Sequence, residues 1–490
     1  MFKRGALLYS FFAFLIGVII IRLLSISIEY PVSVSTQKST RKIILSSTRG
    51  FIYDRNMEPL VNENVFTDNY SINSDSTIEI INTKRYSSNQ LCSHIIGYIN
   101  GDGEGISGIE KCYNDLLEIY SGEESITCSV NAFGSVIGSA PDIKYDNYLS
   151  KGGIVLTIDK TIQRIAEESV NRSSINAGAV VITDVKTSRI LACVSVPSFD
   201  NSDVGKSVTS DNSPLINRAL TSYSVGSVFK PVVAAAALEN GISPDTEYTC
   251  TGKIKIGDTY FNCHKKDGHG KVNMAEAISV SCNTYFINLT KEMDTKEIIN
   301  MASGLGIGSR LEIADSMFTD SGCLPDAQSI TPGEKANLSF GQGELMATPV
   351  HLAAVYSAIA NKGVYTSPVL VSSQVDENMN EVMVAKPDPS RRVMSEKTAK
   401  IIMESLKKTV EEGSGEKAKP RTVSAAGKTA TAQSGWYRDG KEVNHAWFIG
   451  IFPVDNPKYV VVILNENGVS GSTDCAPVFK DIAELIIAYE

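Results

Sequence analysis

The chain has 490 residues, 42% of them hydrophobic, which is long for one core and ordinary for globular domains; two or three folded units are expected and extended disorder is not. Against 46 basic side chains stand 55 acidic ones, a net charge of -9. No basic stripe dominates any segment, which argues against nucleic acid as a partner.

Gly5 to Ile21 is uncharged and rich in Leu, Ile and Phe, with Lys3 and Arg4 before it, and apolar character resumes past Arg22 as far as Ile28. That run spans a bilayer if Arg22 snorkels to the interface. The preceding positive charges keep the N-terminal end in the cytoplasm and place the residues beyond the anchor outside. A cleaved signal peptide with Ser25-Ile26-Ser27 as its small-residue site is the alternative; the length of the run favours an uncleaved anchor over residues 1–30. Next, Ser33 to Thr48 is Ser/Thr-rich and reads as a solvated linker, and Asn62 to Asn82 as a polar loop. Residues 31–150 mix short β-type runs with Asn, Ser and Gly turns, so they read as a linker and a partly β module without catalytic residues.

A boundary falls near Lys151-Gly152-Gly153, followed by a strand run over Ile154 to Ile158 and a helical run over Lys160 to Val170. Ala179 to Thr183 and Ile190 to Val196 flank Asp184 to Arg189 in a hairpin pattern. His445 to Pro453 and Lys458 to Asn465 make a second strand pair, and Ala476 to Tyr489 a closing helix. Strands at both ends of 151–490 with helices between suit an α/β arrangement, an antiparallel sheet sandwiched by helices.

Three motifs within that region carry chemistry. Ser227-Val228-Phe229-Lys230 opens a buried helical run that ends at Asn240-Gly241. A bare Ser-x-x-Lys is weak, for Ser35 to Lys38, Ser39 to Lys42, Ser405 to Lys408 and Ser414 to Lys417 also match, but those lie in charged or Ser-rich stretches. A serine nucleophile needs a base within hydrogen-bond reach. Helical i,i+3 spacing puts Lys230 on the face of Ser227, and the helix N-terminus lowers the lysine pKa toward a useful base. Ser281 and Asn283 would diverge on a helix, so Ser281-Cys282-Asn283 is expected as a corner between helices over Met274 to Val280 and Thr284 to Met293. Lys428 to Gln433 reads as a strand with Thr429 and Thr431 on one face, hydroxyls suited to a carboxylate; strict alternation aims Lys428 at the other face. Backbone N–H groups of Ser227 and Thr431 are the candidate oxyanion donors.

In this order the motifs resemble the signature of penicillin-recognising acyl serine transferases. Further stretches narrow the resemblance to class B penicillin-binding proteins, the monofunctional peptidoglycan transpeptidases. Arg49-Gly50-Phe51-Ile52-Tyr53-Asp54-Arg55-Asn56 is similar to the family's first box, and His94-Ile95-Ile96-Gly97-Tyr98 with Gly105 to Glu110 to its second. Gly178 to Val181, Pro197 to Asp200, Asn217 to Ala219, Phe340 to Gly343 and His445 to Gly450 recur in family order. The resemblance implies a penicillin-binding transpeptidase fold over 151–490, a noncatalytic pedestal over 31–150 and a membrane tether. It also implies a D,D-transpeptidase in which Ser227 attacks the D-Ala-D-Ala bond of a stem peptide, D-Ala leaves, and the acyl group passes to an acceptor amine. On this reading Lys230 is the acylation base, Ser281 relays a proton to the leaving amine, and Asn283 binds the donor amide. Thr429, Thr431 and Lys428 hold the terminal carboxylate. No cofactor is expected, β-lactams acylate the same serine, and a multi-spanning glycosyltransferase is the implied membrane partner. Ala430 stands where the family usually has glycine, and its methyl would crowd a ligand approaching the strand.

Two other functions stay open at this point. One is a β-lactamase or β-lactam sensor, against which stands the lack of a Glu-x-x-Leu-Asn box between Ser281 and Lys428. The other is a noncatalytic scaffold that activates a polymerase.

The nine cysteines are odd in number and scattered, unlike a disulfide framework. Cys250, Cys263 and Cys282 stand apart because Cys282 lies inside the second motif. A Cys263–Cys282 bond would distort the corner and make activity require reduction, a Cys250–Cys263 bond would staple a hairpin, and three free thiols would simply be buried. Cys263-His264 and His269, with Cys250 upstream, superficially offer thiolate and imidazole ligands for zinc, but the spacing fits no familiar metal knot and Gly268 and Gly270 suggest a turn, so no metal is expected. His445 reads as structural.

Overall fold

In a computed structural model of the chain, the described residues are 2–29, 39–63, 70–72, 78–80, 84–130, 142–146, 150–385, 389–438 and 440–490. Two compact units are distinguished by their internal packing: Met1–Thr48, Asn64–Thr83 and Ser121–Leu149 form one, and Arg49–Glu63, Lys84–Tyr120 and Ser150–Glu490 the other.

The first unit holds the helix Phe2–Glu29. Its Gly5–Ile28 stretch of 24 residues is long and apolar enough to cross a membrane, and its side chains meet no protein core. Ser39–Thr48, Gly122–Val130 and Asp142–Asp146 make a three-stranded antiparallel sheet with Gly122–Val130 in the middle. The solvated linker expected over Ser33 to Thr48 is therefore a strand from Ser39 onward, because Ile43-Ile44-Leu45 supplies β-forming apolar residues and Leu45 is buried; residues 33–38 lie outside the described set. Most of the polar loop expected over Asn62 to Asn82 also lies outside it, and the described part includes a short antiparallel pair, Tyr70–Ile72 with Ile78–Ile80.

In the second unit the two upstream boxes pack with the residues after Ser150. Phe51–Tyr53 runs parallel to Gly153–Leu156, with Ile52 opposite Ile154. Beside this ladder the buried Glu110 carboxylate accepts from Arg49 Nε at 3.1 Å and from Tyr86 at 3.0 Å, and also pairs with Arg85. A fully buried carboxylate demands such partners; Arg49 comes from the first box, and Arg85 and Tyr86 from the segment between the boxes. Contact thus divides the chain differently from a single boundary near residue 151.

The main sheet is antiparallel in the order Ala426–Arg438, Lys441–Phe452, Tyr459–Asn465, Gly178–Asp184, Ile190–Val196. Both its faces are covered. Ala179, Val181, Val460, Val462 and Leu464 share a core with the helices Lys230–Glu239 and Pro349–Ala360. Their neighbours Val180, Ile182, Val461 and Ile463 share another with Lys160–Asn171 and Ala476–Tyr489. Period-two alternation sends successive side chains to opposite faces, so two buried faces require continuous apolar runs. This is the α/β sandwich implied by the sequence, with both strand pairs and the closing helix where they were expected.

Candidate active site

Ser227 lies in a 3-10 turn, Gly226–Phe229, that runs directly into the helix Lys230–Glu239. In a 3-10 turn residues i and i+3 eclipse, so the turn stacks Ser227 over Lys230 more directly than the α-helix expected there. The turn starts at Gly226 with φ +60°, where a Cβ would come within 3.0 Å of the Ala432 methyl. Gly226 N–H donates to Gly341 O at 2.8 Å, in the Phe340 to Gly343 stretch, and Tyr356 OH donates to Val228 O at 2.9 Å. Val228, Phe229 and Lys230 are buried while Ser227 is half-exposed, so the hydroxyl can be reached from solvent and the lysine cannot.

Lys230 Nζ donates to Ser281 O at 2.7 Å, to Ser281 Oγ at 3.0 Å and to Asn283 Oδ1 at 2.7 Å. Three acceptors match the three protons of an ammonium. Burial disfavours the charge and lowers the Lys230 pKa from 10.5 to about 7. On deprotonation the Ser281 hydroxyl can turn and donate to the freed lone pair. The corner is built as its spacing implied: the helix Met274–Ser279 ends, Ser281 takes φ 55°, and Cys282 caps the helix Asn283–Lys291. A left-handed serine costs roughly 1–2 kcal/mol. Here it lets Ser281 and Asn283 face the same amine.

Lys428 is fully buried in the strand Ala426–Arg438, and its Nζ donates to Thr429 O at 2.9 Å. Burial first, then repulsion from Lys230, holds its pKa well below the ordinary lysine value. The methyls of Ala430 and Ala432 approach Gly226, and Lys428 shares their parity on the strand. Alternation therefore brings Lys428 to the side of the Ser227 turn. Thr429 is buried with its hydroxyl 2.9 Å from Ser414 Oγ, and Thr431 is exposed.

Ser414, set aside in the sequence as one of the chance Ser-x-x-Lys matches, also donates its N–H to Ser279 O at 3.0 Å, tying the corner to the threonine strand. Only this tertiary contact distinguishes it. His445 bonds through Nδ1 to Glu466 O at 2.9 Å and packs its ring on Tyr223, in keeping with a structural place. Cys92, Cys112, Cys193, Cys250, Cys263, Cys282, Cys323 and Cys475 are free, and the sulfurs of Cys263 and Cys282 stand 4.0 Å apart. The expectation of no metal ligand set meets a different arrangement: His269 joins Cys250, Cys263 and Cys282, and the four potential ligand atoms lie within 4.8 Å of one another.

Residues 178–484 match the penicillin binding protein transpeptidase domain. Stage V sporulation protein D of Bacillus subtilis is 30% identical over 420 residues, covering 81% of this chain; this chain spans 63% of that protein's length. The peptidoglycan D,D-transpeptidase FtsI of Buchnera aphidicola subsp. Schizaphis graminum is 28% identical over 421 residues, 82% of this chain and 69% of that protein. The crystal structure of penicillin-binding protein 3 from Mycobacterium tuberculosis complexed with ampicillin has a TM-score of 0.73 and 26% identity, covering 91% of this chain and 96% of that one. With three motifs converging on one buried lysine and the domain match extending over more than half its length, this chain belongs to the penicillin-binding protein transpeptidase family, among the class B members.

Proposed function

We propose that the chain is a peptidoglycan D,D-transpeptidase that works through an acyl-enzyme on Ser227 and is inhibited covalently by β-lactams. The observation that carries this reading is Lys230: a desolvated amine with a pKa of about 7, held by Ser281 and Asn283 one 3-10 turn below a solvent-accessible serine. Neutral Lys230 takes the Ser227 proton as Oγ attacks the carbonyl carbon of the D-Ala-D-Ala bond. The N–H groups of Ser227 and Thr431 receive the oxyanion, and a donor of this kind typically contributes about 3 kcal/mol. Ser281 then passes the proton to the departing D-Ala nitrogen. An acceptor amine attacks the ester, regenerating Ser227 and leaving a cross-link. Asn283 positions the donor amide, while Thr429, Thr431 and the charge of Lys428 hold the terminal carboxylate.

The apolar helix Phe2–Glu29 serves as a single-pass anchor in the bacterial plasma membrane, cytoplasmic at its N-terminal end because of Lys3 and Arg4, with the catalytic residues outside. Residues 31–150 take the pedestal role and 151–490 the transpeptidase role. A multi-spanning glycosyltransferase partner rests on the family resemblance. A noncatalytic scaffold would have no use for a lysine desolvated beneath a serine. The test is release of D-Ala from a stem pentapeptide with an acceptor amine present: the wild type forms the cross-linked dimer and Ser227→Ala does not. Equal product from both would refute the reading.

A further inference from the structure

We propose that Cys250, Cys263, His269 and Cys282 form a structural zinc site that holds the Ser281-Cys282-Asn283 corner in place. The cluster is assembled from three separate elements. Cys250 ends the strand Tyr248–Cys250, which pairs with Gly270–Val272, so that Cys250 lies opposite Gly270 beside His269. Cys263 follows the hairpin Lys253–Ile256 and Thr259–Asn262, and its N–H donates to Gly252 O at 2.8 Å. The two ligand-bearing segments are pressed together: a Cβ at Gly252 would lie 1.9 Å from Lys266 O, and one at Gly268 would lie 2.1 Å from Cys250 O. Both glycines have left-handed φ, 91° and 80°. Cys282 arrives from the far side, out of the catalytic corner.

The distances suit one ion. Zn–S bonds of about 2.3 Å and Zn–N bonds of about 2.0 Å in a regular tetrahedron imply S···S of roughly 3.8 Å and S···N of roughly 3.5 Å. The observed separations are 4.0 Å for Cys263 to Cys282, 3.4 Å for Cys263 to His269 Nδ1 and 3.6 Å for Cys250 to His269 Nδ1. The three cysteines are buried and the histidine half-buried. A disulfide would need S–S contact at about 2.05 Å and would use only two of the four groups; a soft tetrahedral cation uses all of them. Binding converts each thiol to a thiolate, releasing its proton to solvent, and takes neutral imidazole through Nδ1. Four protein ligands leave no open position, so the ion is structural.

The placement gives the ion its consequence. Cys282 lies between the two residues that hold Lys230 Nζ, so fixing its sulfur fixes the left-handed Ser281 and the start of the helix Asn283–Lys291. Cys250, Cys263 and His269 are positioning residues, and the metal takes no part in acyl transfer.

The test uses the full-length chain in detergent, purified under reducing conditions, loaded with zinc chloride or cobalt(II) chloride and freed of excess metal by gel filtration. The expected result is about one zinc per chain, and a cobalt form with the intense visible bands of tetrahedral coordination and near-ultraviolet thiolate-to-cobalt charge transfer. The double variant Cys250→Ser/His269→Ala loses both signals, while Cys323→Ser, which alters an exposed cysteine outside the cluster, keeps them. Chelation of the wild type slows penicillin acylation and added zinc restores it. Substoichiometric metal in the loaded wild type, a Cys263–Cys282 disulfide in its unreduced digest, or full metal content in the double variant would overturn the site. The cobalt spectrum of the wild type decides even if the double variant misfolds, and the metal signals do not depend on the proposed transpeptidase activity. An acylation rate indifferent to chelation would overturn the positioning role.

Discussion

Lys230 Nζ lies 3.0 Å from Ser281 Oγ, and Asn283 Oδ1 completes its shell at 2.7 Å, so two motifs far apart in sequence share one buried proton carrier. The amine's pKa of about 7 makes it a base near neutrality. Acylation by a penicillin should rise about tenfold per pH unit below that value and level off above it. A stopped-flow pH profile of the acylation rate checks this, and a flat profile between pH values of about 5 and 8 would contradict it.

The same shift bears on stability. The Lys230 pKa is depressed in the folded chain from 10.5 to about 7, so between those values the unfolded state binds more protons and Lys230's contribution becomes more favourable as pH rises. Below the lower value the cost of burying the ammonium is present in full. Thermal melts of the wild type and Lys230→Met should therefore differ most in favour of the methionine variant at acidic pH and converge as pH rises through the window.

Lys230→Ala should slow acylation by orders of magnitude and Asn283→Ala by less, since one change removes the base and the other a positioning contact. Comparable losses in single-turnover kinetics would count against this division of roles.

Ala430 presents its methyl toward Gly226, at a contact of ordinary van der Waals length for a Cβ there. Ala430→Gly is expected to fold and to react with penicillins at least as fast as the wild type. An acylation rate lowered about tenfold would show that the methyl group helps to position the turn.

Glu110 is the anchor of the upstream boxes. Glu110→Ala leaves Arg49 and Arg85 without their shared carboxylate and should cost about 3–5 kcal/mol, lowering Tm. A melt within a degree or two of the wild type would show that the pair contributes little.

What could be read from residue order was local. The Ser281 corner followed from two polar residues spaced two apart between helical runs, and the sheet from strand runs at both ends of 151–490 with helical runs between. The parity of Lys428 was legible too, but which face of the strand meets the Ser227 turn is fixed by where Gly226 packs, a contact distant in sequence. Ser414 is hidden for the same reason, since its partners Thr429 and Ser279 are brought to it by the fold. The ligand spacings of six and nineteen residues around His269 match no short metal motif because three elements supply the ligands. Likewise, the packing of the boxes with the residues after Ser150 depends on Arg49 and Glu110, sixty-one apart, meeting in the interior.

In the proposed mechanism Ser227 alone is the nucleophile, raised over Lys230 by the Gly226–Phe229 turn. The most direct measurement is peptide mapping of the full-length chain after labelling with a fluorescent penicillin. A single adduct on Ser227, abolished in Ser227→Ala, is expected. An adduct on Ser35, Ser39, Ser405 or Ser414, or undiminished labelling of Ser227→Ala, would contradict it.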